Sequence, residues 1–195
     1  MKIGIFSGSF DPIHIGHAMI ANYMAQTCGL DQLWLMVSRR NPLKNDSCPA
    51  DDLDRLEMVK LVTARNPRLR ASAFELPLPE PSYTYRTLML LRERYPDDEF
   101  VLIIGSDNWL KFDLWRDHDR IVDEYRIIVY QRPGFEISED EAAALPANVT
   151  LLRDAPLAEI SSTFIRDGIR KGMNLSFFLP DEVLDYIKRK KLYER

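Results

Sequence analysis

Six short, nearly unbroken apolar runs recur along the chain, at residues 2–6, 33–37, 69–74, 100–104, 126–130 and 149–152. A strand with one wet face alternates apolar and polar residues, whereas a continuous apolar run suits a strand covered on both faces. Helical patterns fill the intervals. Residues 15–28 carry apolar side chains at 15, 18, 19, 20, 24 and 25, and residues 52–65 carry them at 53, 56, 58, 59, 61 and 62. Segments 84–94 and 161–171 follow, the latter opening on a serine that can cap a helix. Pro180-Asp181-Glu182 begins a last helix that closes on the basic stretch from Lys188 to Lys191, an order that complements the helix dipole. Strands alternating with helices predict an α/β fold, a doubly wound parallel sheet with helices on both faces. With 195 residues, no internal repeat and no linker-like tract, the pattern predicts one domain over residues 1–195, its C-terminal helices packed on it.

The first strand-to-helix junction carries the most distinctive polar segment. Residues 7–17 read SGSFDPIHIGH, directly after Ile3-Gly4-Ile5-Phe6. In an open α/β sheet, anionic ligands bind at the strand carboxyl ends, where helix N-termini present free N–H groups. Gly8 lets the backbone approach a ligand closely, and Asp11-Pro12 shapes the turn. His14 falls before or at the helix start and His17 one turn further on, so both imidazoles can face phosphates held there. A structural turn with solvated or core histidines and a zinc site are the alternatives. The strand–turn–helix context favours the anion site, and no cysteine or third histidine sits at ligand spacing.

Three further segments point the same way. Ile160-Ser161-Ser162-Thr163-Phe164-Ile165-Arg166 offers three consecutive hydroxyls at a helix start, with Arg166 one turn inside able to fork onto phosphate oxygens. An N-cap with a surface arginine is the plainer alternative. Gly105-Ser106-Asp107-Asn108-Trp109 follows the fourth apolar run, so Asp107 faces the carboxyl edge of the sheet, within reach of a ribose or a phosphate-bearing group. Trp115 can stack on an aromatic ring, and Trp109 reads as packing. Pro81-Ser82-Tyr83-Thr84, before another helix, is a weaker signal for carboxylate recognition by backbone N–H groups.

Composition narrows the classes. At 46% hydrophobic and 29% charged residues the chain can bury a real core, and a net charge of −4 provides no overall field for DNA, RNA or an anionic membrane. Cys28 and Cys48 show neither metal nor redox spacing, which suits reduced thiols in a cytoplasmic protein. Ser, Gly and Asp interrupt the apolar start MKIGIFSGSFD, arguing against a signal peptide. No stretch approaches the ~20 apolar residues of a membrane helix. Loops 38–51 and 131–138 are expected to be mobile and to border the ligand.

Together these segments resemble the nucleotidylyltransferase superfamily and, within it, the bacterial nicotinate-nucleotide adenylyltransferase family. That family is marked by G-[GS]-[ST]-F-D-P-x-H-x-G-H near the N-terminus and I-S-S-T-x-I-R near the C-terminus. The first motif reads SGSFDPIHIGH here, with Ser7 at the usual first glycine, and the second reads ISSTFIR without departure. The PSYT segment, Gly105-Ser106-Asp107 and Trp115 fall in family order. The resemblance implies a Rossmann-like nucleotidylyltransferase fold and transfer of the adenylyl group of ATP to nicotinate mononucleotide, releasing pyrophosphate. It implies that His14, His17 and Arg166 are catalytic and that His14, His17, Ser162 and Arg166 bind the ATP phosphates. Gly8, Ser9 and Phe10 would line the nucleotide cleft, joined by Gly105, Asp107 and Arg132. Thr84, Trp115 and Arg116 would surround the pyridine ring. Lys44 falls in the loop where relatives carry Pro-x-His-[KR]; here Leu43 stands in place of that histidine. Mg²⁺ is expected to arrive with ATP, with no dedicated metal site. A preference for nicotinamide mononucleotide or another phosphate acceptor, a silent nucleotide-binding module, and a homo-oligomer stay open.

Overall fold

The computed structural model describes residues 1–39 and 50–194. Six strands, β1 (Lys2–Gly8), β2 (Gln32–Val37), β3 (Leu69–Ser72), β4 (Glu99–Gly105), β5 (Arg126–Tyr130) and β6 (Val149–Leu152), form one sheet in the order β3-β2-β1-β4-β5-β6. Every neighbouring pair is parallel. Chain order reverses between β1 and β4, so a crevice opens at their carboxyl ends, the usual ligand position in this Rossmann-like topology.

Continuous apolar runs are explained by the two layers. Leu33, Leu35, Val37, Val101 and Ile103 pack into one core with Ile20 and Met24 of α1 (Ile15–Thr27), Met58 and Val59 of α2 (Asp52–Thr63) and Val183 and Ile187 near the C-terminus. The intervening residues Trp34, Met36, Phe100, Leu102 and Ile104 point the other way, against Leu88 and Leu91 of α3 (Thr84–Arg94). Alternation along each strand therefore feeds both cores, and neither face is left to water.

The expected elements are present with ends shifted by a residue or two. β3 stops at Ser72 because turns follow, with Leu76 N–H donating to Ala73 O and Leu78 N–H to Glu75 O, both at 3.1 Å. The remaining elements are short: α4 (Ser106–Trp109), a 3₁₀ turn at Phe112–Leu114, α5 (His118–Glu124) and α6 (Glu139–Ala143). Segments of three to seven residues complete too few turns to show a 3.6-residue period. In segment 131–138 an Arg132–Phe135 bridge closes a tight turn through Gly134. The last helices are α7 (Ser162–Arg170) and α8 (Asp181–Lys190); α8 packs on α2, where Tyr186 Oη donates to Asp54 at 2.6 Å. Among the described residues, no helix is long and apolar enough to cross a membrane.

Candidate active site

At the end of β1 the chain folds over itself. Phe10 adopts φ 48° with its ring buried, edge-on to Phe6 (5.8 Å) and to His17 (5.1 Å). A Cβ at Gly8 would stand 3.0 Å from that ring, so glycine lets the turn close. Arg55 of α2, 1% exposed, clamps the turn by donating to Ser9 O (2.6 Å) and Ser38 O (2.9 Å), while Asp52 balances its charge at 2.6 Å.

Asp11 is the hub of the turn. Its carboxylate is buried and accepts a 2.6 Å hydrogen bond from Tyr193 Oη. The chain leaves α8 through Lys191 (φ 54°), which turns it back and brings Tyr193 to that position. Burial pushes the Asp11 carboxyl above the ordinary aspartate range, opposed first by the Tyr193 hydroxyl and then by the Arg166 charge.

The second motif bonds directly to the first. Ser161 caps α7 by accepting from Phe164 N–H at 3.1 Å. Ser162 Oγ donates to Pro12 O (3.0 Å) and Arg166 Nη1 to Asp11 O (2.8 Å), joining segments about 150 residues apart.

The two histidines occupy different places. His14 is the N-cap of α1 and only 4% exposed; His17, half-buried, forms part of the cleft wall in front of it. Their rings stack at 3.8 Å, and the His14 backbone N–H donates to His17 Nδ1 at 3.4 Å. With Nδ1 accepting, the His17 ring has its N–H on Nε2. Burial, reinforced by the nearby Arg132 charge, lowers His14 to about 4, so it is a neutral imidazole near pH 7.

Across the crevice, Asp107 of α4, two residues past β4, pairs with Arg132 at 2.9 Å, and Arg132 N–H donates to Ser106 Oγ at 2.9 Å. A side chain at position 105 would collide with the Asp107 carboxylate and, at 2.7 Å, with Arg132 Cδ. Glycine there permits the pair to lie against the strand end.

The opposite half of the cleft is framed by the start of α3. Thr84 is its first residue, and the N-cap residue Tyr83 provides no side-chain cap, so N–H groups of the first turn remain for a ligand. The Arg116 guanidinium lies 4.9 Å from the centre of the Tyr83 ring. Trp115 is half-buried, tilted 43° to Phe112 at 5.2 Å, while Trp109 stacks on Phe112 as packing.

One cavity of about 590 Å³ runs between these halves. Gly8, Ser9, Phe10, His17, Gly105, Asp107, Arg132, Ser162, Arg166, Thr84, Trp115 and Arg116 all line it. His14 stands behind the wall, and Lys44 and Cys48 lie outside the described residues. Sequence reasoning missed Arg55, Glu75 and Tyr193. Arg55 had a signal, because with 58, 59 and 62 it falls on the apolar stripe of α2. Glu75 and Tyr193 had none, since turns and a chain end carry no period.

A family model described as cytidylyltransferase-like matches residues 5–168. A Bacteroides fragilis protein named probable nicotinate-nucleotide adenylyltransferase is 51% identical over 178 residues, 91% of this chain and 87% of its own. A Flavobacterium johnsoniae protein of the same name is 43% identical over 195 residues, covering all of both chains. Among solved structures, Plasmodium falciparum nicotinic acid mononucleotide adenylyltransferase complexed with NaAD superposes with a TM-score of 0.82 at 22% identity, over 99% of this chain and 97% of that one. The last likeness concerns the fold.

Proposed function

The chain belongs to the cytidylyltransferase-like family and, within it, to the nicotinate-nucleotide adenylyltransferases, and on that premise we propose that it transfers the adenylyl group of ATP to nicotinate mononucleotide, forming nicotinate adenine dinucleotide and pyrophosphate. One observation carries this reading. The two anion-type helix starts meet at one turn, where Ser162 and Arg166 bond to the Pro12 and Asp11 carbonyls beside His17. A triphosphate lying over that turn meets both at once. The acceptor lies in the half framed by Thr84, Trp115 and Arg116, and the whole chain acts as a single nucleotidylyltransferase domain in the cytoplasm.

The chemistry asks little of any side chain as a base. The nucleophile is a phosphate oxygen, largely dianionic at neutral pH because its second pKa is about 6. Catalysis reduces to in-line positioning and to neutralising charge on the α-phosphate and the departing pyrophosphate. His17 supplies its Nε2–H to the phosphates. His14, neutral and stacked behind, holds the His17 ring and supplies polarity rather than charge. Positive charge comes from Arg166, one turn into α7, and from Arg132, whose approach to the nucleotide is aimed by Asp107. Lys44 is proposed as a further ATP contact from the loop.

Mg²⁺ is proposed to come with ATP, where nucleotide phosphates and water would hold it. Bound there, it would neutralise phosphate charge. The test is to supply ATP, Mg²⁺ and either mononucleotide, then follow pyrophosphate. Release with the acid form is expected. Faster release with the amide would change the acceptor, and none with either would leave a silent nucleotide-binding module.

A further inference from the structure

Glu75 is a buried carboxyl that adenylyl transfer, as described above, does not use. It is 5% exposed and stands in the turns after β3. Ser7 Oγ donates to its Oε2 and Thr87 Oγ1 to its Oε1, each at 3.4 Å, and the Ser82 hydroxyl interacts with the same carboxyl and favours its charged form. No ion pair reaches it among the described residues. Burying a carboxyl without a cation is costly, so hydroxyl donors must compensate. Accordingly, burial pushes its acid upward while the three hydroxyls draw it down.

The placement of those hydroxyls is what matters. Ser7 is the penultimate residue of β1, Ser82 belongs to the segment before α3, and Thr87 lies one turn into α3. All three line the cleft with Glu75. Their hydroxyls face the carboxyl, and beside them the first turn of α3 has no side-chain cap on its N–H groups. The segment holding Ser82 pairs with no strand. Its position relative to the sheet therefore depends on side-chain bonds such as these.

We propose that Glu75 is a positioning residue for the acceptor nucleotide: by tying Ser82 and Thr87 to the end of β1, it sets the N-terminus of α3 where the pyridine substituent docks. This inference rests on the adenylyl-transfer reading. It assigns Glu75 to the acceptor half, because its partners connect that half to the sheet and none belongs to α7 or to β5.

Steady-state kinetics of the full chain test it, with each substrate varied against saturating amounts of the other. Glu75→Ala should raise KM for nicotinate mononucleotide at least tenfold while KM for ATP stays within twofold. Glu75→Gln, which keeps one acceptor oxygen, should recover most of that loss. Should Glu75→Ala fail to fold, Glu75→Gln and Ser82→Ala carry the test, with Ser82→Ala raising the acceptor KM threefold or more. Equal rises in both KM values, or an acceptor KM that stays the same or falls, would overturn the assignment. Absence of pyrophosphate release by the unaltered protein would overturn the adenylyl-transfer reading itself, and this inference with it.

Discussion

Replacing Tyr193 with phenylalanine asks whether the end of the chain holds the first turn in place. The change deletes one oxygen, keeps the ring in its buried seat and opens no sizeable cavity. What it removes is the 2.6 Å hydrogen bond from the hydroxyl to the Asp11 carboxylate. Hydrogen bonds to charged groups contribute roughly 1.5–3 kcal/mol to stability, which for a chain of this length corresponds to a fall in Tm of about 3–12 °C. The loss carries a pH signature. Burial already holds Asp11 above the ordinary aspartate range, and Tyr193 is the leading group that opposes it, so the substitution raises the carboxyl further. An acid raised on folding keeps its proton longer in the native state than in the unfolded chain. Stability then falls as pH rises from the unfolded value, about 3.9, through the folded one. The deficit of Tyr193→Phe should therefore be larger near pH ~7 than near pH ~4. Urea unfolding of both proteins at the two pH values measures it. A deficit below about 0.5 kcal/mol at neutrality, or one equal at both pH values, would refute the reasoning.

Three shorter predictions concern the cleft. His17→Ala should lower kcat by about 10²-fold or more, as for loss of a transition-state donor, with Tm little changed; near-normal turnover in the same assay sinks the role. Trp115→Ala should raise KM for the mononucleotide and leave ATP affinity alone, and titration of each ligand separately would expose an equal loss. His14 is depressed on folding to about 4, so acidification from its ordinary value near 6.5 toward 4 favours the unfolded chain, which takes up the proton first. His14→Asn should flatten that part of the stability–pH curve, as followed by thermal unfolding; an unaltered slope would mean His14 is not the group concerned.

Much of this architecture was legible because it is periodic. Runs such as 33–37 and 100–104 had to be buried on both faces, and the amphipathic segments between them had to cover those faces, which left the doubly wound sheet. The SGSFDPIHIGH and ISSTFIR segments announced themselves by placing small, hydroxyl and basic residues where a strand or loop hands over to a helix. Their direct bonding, Arg166 to the Asp11 carbonyl, was not legible, because a side chain donating to a distant backbone oxygen leaves no trace in spacing. The same holds for Tyr193, which reaches Asp11 from 182 residues away. Nor did the sequence distinguish His14 from His17. Three residues apart on one helix start they look equivalent, and only packing buries one and leaves the other in the cleft wall.

The bonds from Ser162, Arg166 and Tyr193 to the turn at residues 11 and 12 also bear on how the protein comes to exist. The turn is made early in synthesis, and the side chains that bond to it are made 150 or more residues later. Strands β1, β2 and β4 can pair while synthesis continues, but the turn after β1 waits for α7 and then for Tyr193. Contacts of such long sequence separation form slowly and late. Until residues 162, 166 and 193 have been made the turn at residues 11 and 12 lacks these partners, so a chain stalled before residue 166 holds a sheet with an unfinished mouth.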